Sequence, residues 1–304
     1  MYFGENSIAE VAELFTTIKE NNTNTNLSSS IKLNADTDRE TYLENINTIQ
    51  NLIQQGIFYE INYCVNFHNT FSNFNPYSTY LKLVKNTDAP FSSFFREKEN
   101  YILSASPERF LRKKGSVLTS QPIKGTAKRG DNAEEDSIIL NALQTDEKEI
   151  SENVMIVDLV RNDLSKIAKK NSVNVDELCE PYTFKTVHQL ISTVSCQLKK
   201  QISFSDIIQA LFPMGSMTGA PKISSILNIH SLESFNRGIY SGSIGYLEPN
   251  GNFDFNVVIR TLIANMETKQ ISCSVGGAIT IKSQPINEYE ECILKLKAIE
   301  KTLC

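Results

Sequence analysis

Residues 239–282 read IYSGSIGYLEPNGNFDFNVVIRTLIANMETKQISCSVGGAITIK, and this stretch decides the fold class. It contains three runs rich in β-branched and aromatic residues, at 239–247, 253–264 and 271–281. Polar residues that favour turns, including an Asn-Gly pair, separate the runs. Short strands joined by such turns predict an antiparallel meander.

The second of these runs predicts a strand with two different faces, because side chains alternate along a strand. One face is apolar and is expected to pack against the core. The other face is expected to line a functional site, and it carries Asp254, Asn256, Val258 and Arg260.

Helical periodicity surrounds the predicted strands on both sides. The predicted helices cover residues 8–15, 133–169, 203–212, 222–233 and 286–303, and one more runs from a cap at Thr37 or Asp38 to just before Gly56. Residues 21–30 predict a loop, and residues 57–117 predict a region rich in strands. Helices and antiparallel strands are mixed without a regular βαβ rhythm, which indicates the α+β class.

The composition excludes several classes of protein. At 304 residues the chain is long enough for two domains or one large domain. Its 30 basic and 35 acidic residues give a net charge of -5, which argues against a generic binder of nucleic acid or anionic membrane. No apolar run approaches the ~20 residues that span a bilayer, and residues 1–26 lack a signal-peptide pattern. The six scattered cysteines form no C-x-x-C pair, so we expect reduced thiols in a cytoplasmic protein.

Two of the predicted helices carry carboxylates at helical spacing. Glu288, Glu291 and Lys295 lie on one face of the last helix, and Glu149 and Glu152 share a face of an earlier one. Mg²⁺ prefers such oxygen ligands and usually binds through one or two carboxylates plus the substrate. Acid pairs on helices are more often solvated faces, so the spacing by itself leaves both interpretations open.

Other candidate residues also have two interpretations from their chemistry alone. Arg260 could bind a carboxylate bidentately or form a surface ion pair. Gly276 and Gly277 could bring backbone N–H groups close to a ligand or form a bulge. Lys124 could be a nucleophile if its surroundings lower its pKa. His188 could act as a base, although such a histidine is more often structural.

A series of motifs in a fixed order resembles the chorismate-utilising enzymes over residues 37–304. The motifs are SPERF at 106–110, PIKGT at 122–126 with Arg129-Gly130, ENVMIVDLVRNDL at 152–164, GSMTGAPK at 215–222, RGIYSGSIG at 237–245, DFNVVIRT at 254–261, Gly276-Gly277, and EYEE at 288–291 with Lys295. The resemblance implies an α+β fold in which two packed, largely antiparallel β-sheets carry helices on the outside.

Lys124 in the PIKGT motif indicates a branch of this family. Anthranilate synthases are similar throughout but carry alanine at this position, whereas aminodeoxychorismate synthases carry lysine. Glu60 stands where the latter usually have glutamine and where isochorismate and salicylate synthases have a lysine that activates water. The resemblance therefore implies formation of 4-amino-4-deoxychorismate from chorismate and ammonia, for 4-aminobenzoate and folate biosynthesis. Anthranilate synthase component I is the alternative.

The resemblance also implies roles for individual residues. Glu152 and Glu291 would hold Mg²⁺. Lys124 would attack C2 of chorismate while the C4 hydroxyl leaves with a proton from Glu108, and ammonia would then add at C4 and expel Lys124. The residues that would bind the substrate are His188, Thr218, Tyr240, Arg260, Gly276, Gly277 and Lys295.

The family supplies ammonia through a partner, so the resemblance implies a glutamine amidotransferase subunit. By the extent of the motifs, residues 1–36 are expected to form a short leader and residues 37–304 a catalytic domain. Relatives with a longer N-terminal portion build a tryptophan pocket there, so we expect no tryptophan regulation. A non-catalytic relative is the remaining alternative, but every implied catalytic and metal-binding side chain is present.

Overall fold

Fourteen strands and seven α-helices lie within residues 30–303, the part of the chain that the computed structural model describes. The helices are α1 (Arg39–Gln54), α2 (Pro76–Thr87), α3 (Ala133–Thr145), α4 (Glu147–Ile167), α5 (Phe204–Leu211), α6 (Lys222–Leu232) and α7 (Pro285–Glu300). The helix predicted at 8–15 lies outside the described residues, and so does the loop predicted at 21–30 except for its last residue. Within residues 30–303, no helix has both the length and the apolarity needed to cross a bilayer.

The strands form two sheets of seven. The first contains β1 (Asn34–Ala35), β2 (Glu60–Thr70), β3 (Phe91–Glu97), β4 (Asn100–Ser106), β10 (Gly219–Ala220), β13 (Thr261–Asn265) and β14 (Gln270–Ile279). The second contains β5 (Arg109–Lys114), β6 (Val117–Gln121), β7 (Ile123–Lys128), β8 (Asn174–Thr183), β9 (Val187–Gln197), β11 (Gly245–Leu247) and β12 (Phe253–Asn256).

Every strand pair is antiparallel. The first sheet has the order β1-β2-β14-β13-β4-β3, with β10 also paired to β2. The second has the order β11-β12-β5-β6-β9-β7, with β8 also paired to β9. Two antiparallel sheets with helices packed on them confirm the α+β class.

The alternation of side chains along β2 decides where the sheets meet. Ile61, Tyr63 and Val65 point into a buried cluster shared with α1 and α7. The opposite face of β2 carries Glu60 and Cys64, and Cys64 packs in the buried cluster that α4 and α5 form with the second sheet. The polar start of β2 therefore lies close to the second sheet.

The single meander predicted for residues 239–282 is wrong, because the chain changes sheets within it. The hairpin of β11 and β12 belongs to the second sheet, and the hairpin of β13 and β14 belongs to the first. Between them the backbone N–H of Ile259 donates to the carbonyl of Val257 at 2.9 Å, and Arg260 has a φ of +50°. This tight turn interrupts the alternation predicted for residues 254–260.

Two helix predictions also need correction. The helix predicted at 133–169 is two helices, because Asp146 has an extended backbone and its side chain accepts from the backbone N–H groups of Lys148 and Glu149. Helix α2 lies inside the stretch predicted to be rich in strands. Its start was readable from Asn75, which caps the helix, and from Pro76 in the first turn. The predicted cap of α1 at Asp38 is confirmed, since its side chain accepts from the Thr41 N–H at 2.8 Å.

Candidate active site

A buried ion pair joins the two sheets. Lys124 lies on β7, and its Nζ is 3.1 Å from Oε1 of Glu60, the first residue of β2. Glu60 has no exposed surface. Burial alone would lower the pKa of Lys124, but Glu60 and Glu152 outweigh that effect and hold the pKa above its usual value. The candidate nucleophile is thus held mainly as an ammonium ion at neutral pH.

Glu108 lies in the connection between β4 and β5 and is buried. The Ser106 hydroxyl lies 3.2 Å from its backbone N–H, which positions this connection. Burial raises the pKa of Glu108 to about 7, although a hydrogen bond from Ser216 and the charge of Lys124 act in the opposite direction. A carboxyl group with this pKa can both give and accept a proton near neutral pH.

Helices α4 and α7 bring four carboxylates into one electrostatic cluster, which consists of Glu149, Glu152, Glu288 and Glu291. Glu152 and Glu288 are buried. Burial raises the pKa of Glu152 to about 8, and its Oε1 is buried without a hydrogen-bond partner. Burial opposes the ionisation of Glu291, but Lys295, 2.8 Å away, outweighs it and holds its pKa below the usual value.

This carboxylate cluster suits a divalent cation that also binds substrate. Within residues 30–303, no three His, Cys, Asp or Glu side chains are arranged as a ready-made metal site. Mg²⁺ commonly uses only one or two protein carboxylates and completes its shell with water and substrate oxygens. The buried, unpartnered Oε1 of Glu152 is such a carboxylate oxygen, and Glu291 lies in the same electrostatic cluster.

Lys295 and a pair of glycines lie beside the carboxylate cluster, and Arg260 interacts electrostatically with Glu108. Lys295 donates to the carbonyl of Gly276 at 2.7 Å in addition to its ion pair with Glu291. Gly277 faces the cluster, since a Cβ built there would lie 3.6 Å from the Glu288 carboxylate and 4.0 Å from Lys295 Nζ. Arg260 is partly buried, and none of the described residues accepts a hydrogen bond from its guanidinium group.

The remaining candidate residues are buried, and their side chains make polar contacts with other groups of the protein. Thr218 donates to the Met214 carbonyl at 2.9 Å, and the Tyr240 hydroxyl lies 3.7 Å from the Cys64 thiol. The two ring nitrogens of His188 contact Thr183 and Asp136, each at 2.9 Å. The structure therefore places His188 in a hydrogen-bonded network with α3 and β8.

Lys148 is the residue of the site that the sequence reasoning missed. Its Nζ lies 2.9 Å from Oε1 of Glu288 and 3.8 Å from Oε1 of Glu152, so it links α4 to α7. The spacing of Lys148 and Glu152 at i and i+4 on α4 was the available signal.

Comparisons with known proteins show the family to which the chain belongs. Residues 4–301 match the family described as chorismate binding enzyme. Aminodeoxychorismate synthase component 1 of Escherichia coli is 42% identical over 265 residues, which cover 87% of this chain and 58% of that protein. The chloroplastic aminodeoxychorismate synthase of Arabidopsis thaliana is 41% identical over 266 residues, which cover 86% and 29%. The chain thus spans less than two thirds of the length of either relative.

Solved structures confirm the architecture. Anthranilate synthase component I of Streptococcus pneumoniae superposes with a TM-score of 0.83 at 29% identity, covering 98% of this chain and 67% of that one. The menaquinone-specific isochorismate synthase of Escherichia coli superposes with a TM-score of 0.79 at 18% identity, covering 91% and 64%. The second likeness concerns the fold alone.

Proposed function

The chain belongs to the chorismate binding enzymes, and from this membership we propose that it converts chorismate and ammonia to 4-amino-4-deoxychorismate. The observation that carries the proposal is Lys124, a buried amine in electrostatic contact with the carboxyl groups of Glu60, Glu108 and Glu152. A lysine in that position can act as a nucleophile on the substrate ring. The sequence identity of 41% and 42% to the aminodeoxychorismate synthases of Arabidopsis thaliana and Escherichia coli supports the same activity.

The proposed reaction consists of two displacements. The Lys124 ammonium first loses a proton to solvent. The neutral amine then forms a bond to C2 of the ring, the ring double bond shifts, and the C4 hydroxyl leaves as water with a proton from Glu108. Ammonia then forms a bond to C4, the double bond shifts back, and the Lys124 amine leaves C2. The Glu108 carboxylate takes up the proton that ammonia loses. Its pKa of about 7 suits both transfers.

Charged and backbone groups near Glu108 and the carboxylate cluster would bind a dianionic substrate. Arg260 has no protein acceptor among the described residues, so its guanidinium is free to bind a carboxylate bidentately. Lys295 and the backbone of Gly276 and Gly277 offer further donors on the α7 side. Thr218 and Tyr240 would shape the pocket, and His188 stays a prediction as a substrate ligand.

Glu152 and Glu291 are the proposed holders of Mg²⁺. When bound, the ion supplies positive charge and Lewis acidity at a substrate carboxylate. The unpartnered, buried oxygen of Glu152 supports this assignment, because the Glu152 carboxylate needs a cation to be stable in its ionised form.

A glutamine amidotransferase subunit is proposed as the source of ammonia. Part of the support is the name "component 1" of the Escherichia coli relative, which implies a second component for that protein. The division into a leader at 1–36 and a catalytic domain at 37–304 is likewise a proposal, and a cytoplasmic location stays a prediction.

The deciding experiment is identification of the product by mass. Purified chain is incubated with chorismate, MgCl₂ and an ammonium salt, and we expect 4-amino-4-deoxychorismate. Formation of anthranilate with release of pyruvate would instead support the anthranilate synthase alternative. Recovery of unchanged chorismate would contradict both activities for this chain.

Substitution of Lys124 tests the nucleophile. Lys124→Ala is expected to abolish product formation and any covalent adduct that can be trapped on the protein. Lys128→Ala is the matched control, because Lys128 is exposed on the same strand. Turnover and adduct formation that both survive in Lys124→Ala would exclude Lys124 as the nucleophile.

A further inference from the structure

The ammonium group of Lys148 lies inside the carboxylate cluster of α4 and α7. Its Nζ donates to Oε1 of Glu288 at 2.9 Å and lies 3.8 Å from Oε1 of Glu152. Glu149 and Glu291 also interact electrostatically with it. Lys148 thus interacts with all four carboxylates contributed by the two helices.

The contact between Lys148 and Glu152 is incomplete. At 3.8 Å it is an ion pair but not a hydrogen bond, and Glu152 Oε1 is buried with no hydrogen-bond partner at all. The side chain of Glu152 is 8% exposed and that of Glu288 is 3% exposed, so water does not readily replace the missing partner. A buried carboxylate oxygen of this kind needs a second, closer cation to be stable in the ionised form.

The side chain of Lys148 can move out of the carboxylate cluster into solvent. Its side chain is 35% exposed, and a lysine ammonium is a compact charge on a flexible stem that can return to solvent. A divalent cation bound to Glu152 would repel the ammonium, because two cations cannot share a few ångströms of a desolvated cluster without a large energetic cost.

From this geometry we propose that Lys148 is a built-in competitor of the metal ion. It pairs with Glu288 and lies against Glu152 while the site holds no metal, and it withdraws when Mg²⁺ binds. The inference rests on the proposed metal site, and it adds a residue that sets how tightly and when the ion is held. Its consequence is that the metal-free site stays assembled at the expense of metal affinity.

Calorimetric titration of the protein with MgCl₂ alone tests this role. Lys148→Met keeps the length of the stem and removes the charge, so we expect Mg²⁺ to bind at least about fivefold tighter than to the wild type, a typical size for coupling between two bound groups. We also expect Mg²⁺ to raise the melting temperature of this variant more than that of the wild type. Arg161→Met is the matched control, since Arg161 pairs with exposed Asp158 on the same helix and should change neither value.

Modification of the wild-type protein gives a second readout that does not depend on how the variant folds. An amine-acetylating reagent followed by mass spectrometry should modify Lys148 faster when Mg²⁺ is present, while Lys166, paired with Asp163 on the same helix, serves as the reference. Equal or weaker Mg²⁺ binding by Lys148→Met, or a Lys148 that Mg²⁺ protects, overturns the inference but leaves the proposed activity standing if the product assay succeeds. If neither wild type nor variant binds Mg²⁺, the metal site and the inference fail together.

Discussion

Lys124 and Glu60 are 64 residues apart in sequence and 3.1 Å apart in space, and their ion pair closes the gap between the two sheets. Lys124 belongs to β7 of the second sheet and Glu60 to β2 of the first. The second carboxylate oxygen of Glu60 is buried without a hydrogen-bond partner. The protonation of the proposed nucleophile therefore depends directly on this carboxylate, and Glu152 and Glu108 act in the same direction.

Glu60→Gln should shift the pH dependence of the reaction. Glu60 raises the pKa of Lys124, and the amine must be neutral to attack. Removing this negative charge lowers the pKa, so the limb along which activity rises with pH should move to lower pH. The measurement is kcat/KM against pH for both proteins at a fixed concentration of unprotonated ammonia.

The same variant separates two roles of Glu60. Retained activity with a shifted acidic limb fits a residue that sets the Lys124 pKa. An inactive Glu60→Gln that still folds and binds chorismate would mean that Glu60 is required to accept the proton of Lys124. Lys124→Ala measured beside it defines the background rate.

Glu108 should set where the pH profile bends. A proton donor must be protonated, so above its pKa of about 7 the loss of protonated Glu108 offsets the growing fraction of neutral Lys124, and kcat/KM should stop rising. Glu108→Gln cannot give up a proton, so we expect a loss of about 10²–10⁴-fold in kcat and disappearance of this bend. Glu99→Gln, an exposed change in the turn between β3 and β4, should leave the profile intact. A wild-type profile that continues to rise between pH 7 and 8 would exclude Glu108 as the donor.

Most of the secondary structure is readable from the sequence, since alternation and helical spacing reflect burial on one side. The change of sheet at residues 257–260 is not readable from the sequence, because Val257, Val258 and Ile259 continue a strand-like pattern through the turn. The positive φ of Arg260 could not be predicted from the sequence either, because arginine is not a residue type that favours a left-handed backbone.

The site was predictable through its motifs but not through its contacts. Spacing along α7 places Glu288, Glu291 and Lys295 together, and the sequence gives no distance between that face and α4. The contact of Lys148 with Glu288 spans 140 residues, and it depends on the packing of α4 on β9 of one sheet and of α7 on β14 of the other. Local patterns cannot encode such tertiary neighbours.

The adjacent glycines of β14 should respond differently to the same substitution. A Cβ at Gly276 would lie 2.5 Å from both Cys64 Sγ and the Tyr63 carbonyl, so Gly276→Ala should lower the free energy of unfolding by about 1–3 kcal/mol. Gly277→Ala meets no atom closer than 3.6 Å and should fold normally. Because its methyl group points toward Lys295 and Glu288, it should raise KM for chorismate.

Chemical denaturation and steady-state kinetics of both alanine variants check this contrast. Equal stability losses would show that the two glycines have the same structural role. A Gly277→Ala variant with unchanged KM would remove this backbone from the proposed substrate site.

We expect the Arg260 side chain to contribute nothing to the stability of the protein without substrate. The guanidinium is partly buried, no described residue accepts from it, and burial lowers its pKa although Glu108 opposes the effect. Arg260→Met removes an uncompensated charge while keeping an unbranched apolar stem, so thermal unfolding should be unchanged or slightly shifted to higher temperature. Loss of a desolvated, charge-assisted contact to a substrate carboxylate typically costs about 2–5 kcal/mol, so binding of chorismate should weaken at least about 30-fold.

Arg112→Met, at an exposed position on β5, is the control for loss of positive charge alone. A marked fall in melting temperature of Arg260→Met with normal chorismate binding would mean that Arg260 supports the turn between the two sheets rather than the substrate.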